Sequence, residues 1–537
     1  MVSGKKLAIA AAVVAVGLVV ILFPYVRDEY RSHQLEQHLL RGQDLASTYC
    51  SGCHLEPSPD ILPKRSWEVA LGYMGYMLGM LNIDYLADHP EFAQENVKSK
   101  QRYLSKENMV PAAPLLSEDD WAALRDYYVD SAPAEPLPQT GRPTLNWEMP
   151  QFELVQSDYR ADPAVTTMVH IRDETGEAYI GDSLANTIAV LNSDGQLKAS
   201  PRKFGRAMSP VGIDFVDDVA YVASIGDIFG DQTSADRVAT ISRLDLVEQG
   251  IDNADISVVI DDLHRLAAMD VADVNGDGVV DFVVCGFGTR QGNVSLYLSR
   301  DDGGYVEQEL ISRPGAVTAK FHDFNGDGHL DIAVLLSDAL EGFYILTNDG
   351  GNLFDSTTVF ETHPSYGHTL FELEDFNNDG LMDILAVNGD NVDSDPYNTL
   401  KNFHGIRVYL NRGDLKFDEA FFFPLYGAFG ARAGDFDNDG DMDIVAISFY
   451  PDFEIEKRES FVYLQNDGDL EFSAYTTPEL VHGRWMTIGV GDLDGDADSD
   501  IVLGGAYIPT GMYAYMDTYR ALAESAPSIL VLRNTAN

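Results

Sequence analysis

Asp323-Phe324-Asn325-Gly326-Asp327-Gly328-His329-Leu330-Asp331 is a nine-residue run with side-chain oxygens at positions 1, 3, 5 and 9. The same spacing returns at Asp273, Asn275, Asp277 and Asp281, at Asp375, Asn377, Asp379 and Asp383, at Asp435, Asp437, Asp439 and Asp443, and at Asp492, Asp494, Asp496 and Asp500. The five starts lie 50, 52, 60 and 57 residues apart. Oxygens so spaced, with glycine at position 6 in four of the five copies, can fold a tight loop round a hard cation that takes about six to eight oxygens, which means Ca2+ ahead of Mg2+. Position 12 is Val284, Val334, Ala386, Ala446 or Leu503 instead of Glu, and the flanks read as strands, so these are not EF-hands. About five bound Ca2+ are expected.

Working outward, each run is followed by an apolar strand such as Ile332-Ala333-Val334-Leu335-Leu336, then by a second such as Tyr344-Ile345-Leu346 or Val408-Tyr409-Leu410, then by Asn and Gly. A unit of about 50 residues with several strands is the size of one propeller blade, and stacked blades bury faces that none could bury alone. Two earlier units, Val165 to Leu197 and Pro210 to Leu246, keep the strands without the acidic loop. Seven blades over residues 151–537 follow. The chain ends on the strand Ser528 to Arg533, so the outer strand of the last blade is expected from Phe152-Glu153-Leu154-Val155-Gln156.

The N-terminal part reads differently. Lys5 and Lys6 precede an uncharged, almost wholly aliphatic run from Leu7 to Val26, about the length of a membrane-spanning helix. No small-residue cleavage site follows it, so residues 1–30 are expected to be a single-pass signal anchor with the rest of the chain outside the cytoplasm. Residues 131–145 carry four prolines and no apolar period, and residues 131–150 are expected to be an extended linker.

Between anchor and linker, Cys50-Ser51-Gly52-Cys53-His54 has the C-x-x-C-H pattern of covalent haem attachment. Two thiols one helical turn apart can bond the porphyrin vinyl groups, and His54 is then placed to ligate the iron. A structural zinc site would need a second ligand pair, and the only other cysteine is Cys285, in an apolar strand. Helices are expected over Gly42 to Tyr49, around Trp67, Leu71, Met74 and Leu78, and after Ser117, making a small all-α haem domain over residues 31–130. The segment resembles the class I cytochromes c. That resemblance implies one covalent haem c and a methionine as sixth ligand: Met109, which precedes the last helix, or Met74, in a Met-Gly step.

Residues 265–537 resemble the FG-GAP (or VCBS) repeats, the calcium-loop propellers typified by integrin α-subunits; the first two blades lack the cation motif, so only the fold is implied there. Ser448-Phe449-Tyr450-Pro451-Asp452-Phe453 and Gly483-Arg484-Trp485 are similar to stretches of bacterial haem–propeller fusions, a group with no settled activity. The fold class expected is mainly β: a seven-bladed β-propeller with calcium loops, preceded by a transmembrane helix and a small all-α cytochrome c-like domain.

A net charge of −50 argues against nucleic acid as a partner. The function expected is electron transfer by a c-type cytochrome of the bacterial inner membrane, its soluble parts in the periplasm or outside the cell, with a redox partner protein and a propeller that docks it. The alternatives are a haem-linked oxidoreductase whose propeller binds a small substrate, and integrin-like adhesion through a surface ligand. No nucleophile–base pair is assignable. Asp270, Lys320, Glu372 and Arg432, each three residues before an acidic loop, are expected either to pair between neighbouring blades or, less simply, to form a substrate ring in the central channel.

Overall fold

The computed structural model describes residues 29–536, apart from 53, 107–108, 206–207, 230–236, 247–249, 289–291 and 392–394. The anchor expected over Leu7 to Val26 lies outside the described residues. Among those described, no helix is long and apolar enough to cross a membrane. The chain divides into two compact units, residues 1–52 with 56–135, and residues 53–55 with 136–537.

The first unit is helical: α1 (29–49), α2 (Lys64–Met77), α3 (Glu91–Lys106) and α4 (Glu118–Ser131). The Ser117 side chain caps α4 by accepting from the Asp120 N–H at 3.1 Å, which satisfies a donor the helix cannot. Trp67, Leu71, Leu116, Trp121, Leu124 and Tyr128 form the core. Helix α1 is longer than its sequence signal, and α3 is an addition to the three helices expected. Glycines let the helices approach: a Cβ on Gly42 would overlap the Ala123 carbonyl oxygen of α4, and one on Gly75 would sit 2.6 Å from the Trp121 ring.

The second unit is a seven-bladed propeller of seven four-stranded antiparallel sheets. The innermost strands are Thr166–Arg172, Pro210–Val216, Leu266–Ala272, Ala316–His322, His368–Glu374, Ala428–Gly434 and Trp485–Gly491, one for each of blades one to seven. The second strands of blades three to seven, such as Asp331–Leu336 and Asp443–Ser448, are buried at every residue. That is why they read as continuous apolar runs: both faces of each sheet pack against a neighbouring blade.

The ring is closed by pairing the first strand of the propeller with its last. Phe152–Gln156 pairs antiparallel with Ile529–Asn534, from Phe152 opposite Asn534 to Gln156 opposite Leu530, and supplies the outer strand of blade seven as expected. Phe152 is 4% exposed and meets Phe436 and Tyr463 of blade six edge to face, with ring centroids 6.0 and 5.6 Å away. The proline-rich segment is not a free spacer throughout. Gln139 donates to the carbonyl of His404 at 2.9 Å, Arg142 forms a two-armed ion pair with Glu459, and Asn146 donates to the Ala474 carbonyl at 2.8 Å, so residues 139–146 lie along blades five and six. Polar contacts of this kind leave no apolar period to read. Phe152→Ala is expected to lower the stability of the propeller by about 3–5 kcal/mol, as other buried Phe→Ala changes do, measured by urea unfolding followed at the propeller's transition.

Candidate functional site

The five acidic loops connect the first and second strands of blades three to seven, on one face of the ring. Their backbone explains their residues. Position 4 is left-handed in all five, at Gly276, Gly326, Asn378, Asn438 and Gly495, and so is position 6, at Gly278, Gly328, Gly380, Gly440 and Ala497. Gly and Asn tolerate that conformation; Ala497, at φ 77°, is the exception. The first carboxylate of each loop then gathers backbone donors: Asp323 accepts from Gly326, Asp327 and Gly328 at 2.8, 3.2 and 2.9 Å, and Asp273, Asp375, Asp435 and Asp492 act alike.

The ninth position has a task that the spacing does not reveal. Asp281, Asp331, Asp383, Asp443 and Asp500 are all at most 1% exposed. One oxygen accepts the N–H of the loop's second residue, at 2.9–3.1 Å in all five. The other accepts the N–H of Ser299, Asn348, Asn411, Asn466 or Asn534, the last residue of the third strand, at 2.7–2.8 Å. Each is a strut between loop and sheet as well as an oxygen donor.

The donor set fits a hard divalent cation. Carboxylate oxygens of Asp435, Asp437 and Asp439 lie within 4.8 Å of one another, as do those of Asp492, Asp494 and Asp500. In the first three loops Asn275, Asn325 and Asn377 stand at the third position, so an amide oxygen replaces one charge. Burial, aided by neighbouring loop carboxylates, pushes Asp383 and Asp500 up to about 6 and Asp443 up to about 7. A bound cation would remove that penalty. The remaining loop oxygens, Asp277, Asp327, Asp379 and Asp496, sit at the exposed fifth position.

In the C-x-x-C-H segment, Cys50 closes α1 with its N–H on the Ala46 carbonyl at 2.8 Å and packs against the core that holds Trp67 and Tyr128. Cys53 lies outside the described residues. The His54 Nδ1 lies 2.8 Å from the Leu55 carbonyl, a contact that in a neutral ring would hold the proton on Nδ1 and free Nε2. Cys50 belongs to the first compact unit and His54 to the second. Met74 in α2 and Met109 after α3 are both half-buried, while Met80 is in the core at 4% exposure. The Tyr85 hydroxyl is buried and has no hydrogen-bond partner among the described residues.

In the channel, Lys320 pairs with Asp270 at 3.0 Å and Arg432 with Glu372 at 3.1 Å, the bridges between neighbouring blades that the sequence suggests. Asp270 and Glu372 also accept backbone N–H groups of the next blade, from Phe321 and Ala433. Arg484 is a buried cation that charge patterning misses. Its guanidinium stacks 3.6 Å from the Phe449 ring centroid and donates to the carbonyls of Phe449, Ile508 and Thr510 at 3.0, 2.7 and 2.6 Å. The two motif pieces around Phe449 and Arg484 therefore form one clamp on the insertion that follows Ala506.

A cleft of about 340 Å³ opens on the loop face between blades four and five, lined by His322, Asp323 and Phe324 on one side and Leu381, Met382 and Leu415 on the other.

Asp331→Ala is expected to strand two buried N–H groups and cost about 2–5 kcal/mol, with or without chelator present, in denaturant titrations. Asp214 lies in the channel near Lys320 and Asp270, and burial pushes its carboxyl up to about 6. Because that exceeds its unfolded value of about 4, the folded state binds the proton more tightly. Stability should therefore fall as pH rises from about 4 towards 6 and level off above. Asp214→Asn should flatten that slope in pH-dependent melts.

A family model describing an FG-GAP-like repeat matches residues 273–334, 323–386 and 375–446. No curated protein matches the chain. Among solved structures, the crystal structure of BBS1N in complex with ARL6DN, soaked with mercury, is similar at 12% identity and a TM-score of 0.42, covering 72% of this chain and 98% of that one. The chain thus carries FG-GAP repeats, built into a seven-bladed β-propeller.

Proposed function

We propose that this chain is a c-type cytochrome that transfers single electrons, anchored by its N-terminal segment in a bacterial inner membrane, with a calcium-stabilised propeller that docks it to a redox partner. The reading rests on one observation above the others. His54 directly follows Cys50-x-x-Cys53, and its Nδ1 lies within hydrogen-bond distance of a backbone carbonyl, an arrangement that supports Nε2 as a ligand. When bound, the haem would supply the one-electron chemistry; Cys50 and Cys53 would hold it, and His54 with Met109 or Met74 would ligate its iron. The five loops would take about five Ca2+, each relieving carboxylate repulsion on the face of a blade.

The cleft beside Asp323 and Leu415 favours a second reading, in which the propeller binds a small molecule whose oxidation feeds the haem; its volume is within the range of small-ligand sites. Adhesion through the same face is the third.

Chain produced with haem-maturation machinery is expected to show a Soret band and one haem per chain that survives denaturation, and Cys50→Ala with Cys53→Ala should abolish both. Chelator should lower the propeller's melting temperature by several degrees and added Ca2+ restore it. Protein that lacks a covalent haem, with a melting curve indifferent to chelator, would overturn the reading.

A further inference from the structure

The loops of blades six and seven invite comparison, because both carry five carboxylates and both face the residue that precedes the terminal Asn of the third strand. That residue is Leu298, Thr347 and Leu410 in blades three to five, Gln465 in blade six and Arg533 in blade seven. Gln465 donates from its amide to Asp437, the third-position carboxylate, at 2.5 Å. Arg533 places its Nε 3.3 Å from Asp494, the third-position carboxylate of the last loop. The position is neutral in four blades and cationic in one.

We propose that the acidic loop of blade seven is the weakest cation site of the five, because Arg533 already supplies it with positive charge; this rests on the reading of the loops as Ca2+ sites. The guanidinium is held from behind. Its Nη1 lies 3.6 Å from Glu153, and its Nη2 donates to the Ser193 carbonyl at 2.8 Å and lies 3.3 Å from Asp194. It is therefore fixed beside Asp494, where an arriving divalent ion meets a like charge. One further feature of this loop acts in the same direction. Ala497 stands in a left-handed conformation that glycine takes in the other four, so the closed loop is harder to hold ready.

The arrangement has a use. Arg533 and Asn534 lie on the strand that pairs with Phe152–Gln156, so blade seven is where the ring is joined. An internal cation there holds the acidic loop together when Ca2+ is scarce.

Ca2+ titration of the full chain by calorimetry, paired with melting in chelator, tests this. The wild type is expected to show tight uptake followed by one weaker site. Arg533→Gln, which copies blade six, should strengthen the weak site about tenfold and lower the melting temperature in chelator. Gln465→Arg should convert one tight site into a second weak one, and it keeps the test open if Arg533→Gln fails to fold. Five equal sites, or an Arg533→Gln titration identical to wild type, would overturn the proposal while leaving the Ca2+ reading intact. No Ca2+ uptake by any variant would overturn both.

Discussion

A buried carboxylate has to satisfy both its oxygens, and in this propeller that requirement is met five times in one way. Asp281, Asp331, Asp383, Asp443 and Asp500 each take one N–H from the loop before them and one from the third strand of their own sheet. The bond ties the start of the second strand to the end of the third. It thereby sets where each loop leaves the sheet. Remove the strut and both the blade edge and the loop lose their reference point.

The two units solve different problems of burial. The helical unit is small, and it gains its core from large aromatic side chains, with Trp67 and Tyr128 only 4.2 Å apart between ring centroids and glycines letting helices close on one another. The propeller is large enough to bury whole strands between blades. It can therefore hold charge inside, provided each charge has a neighbour: Lys320 with Asp270, Arg432 with Glu372, and Arg484 with three carbonyls and an aromatic face.

Much of the propeller was legible in the sequence because its constraints are local. Asp, Asn and Gly at fixed offsets are what a loop with two left-handed residues demands, and fully buried strands have to be apolar throughout. The ring-closing strand was readable by counting strands in the last blade. Other parts left no such trace. Helix α3 buries only Ala93, Val97 and Leu104 among sixteen residues, too thin a stripe to stand out from its charges. The docking of residues 139–146 depends on hydrogen bonds from Gln139, Arg142 and Asn146, which follow no period. The place of Arg533 opposite Asp494 is a matter of strand register between distant segments, invisible until the sheet is formed.

The strand that completes blade seven is separated from its partner by nearly the whole ring, since Phe152 faces Asn534. During synthesis the first of these leaves the ribosome long before the second exists. Six blades can assemble in turn from contacts near in sequence, but the last sheet keeps an unpaired edge until Ile529–Asn534 has been made. Closure of the circle therefore waits on a contact between segments far apart in sequence, and a chain lacking Ile529–Asn534 would stay open, exposing a strand edge to any neighbour able to pair with it.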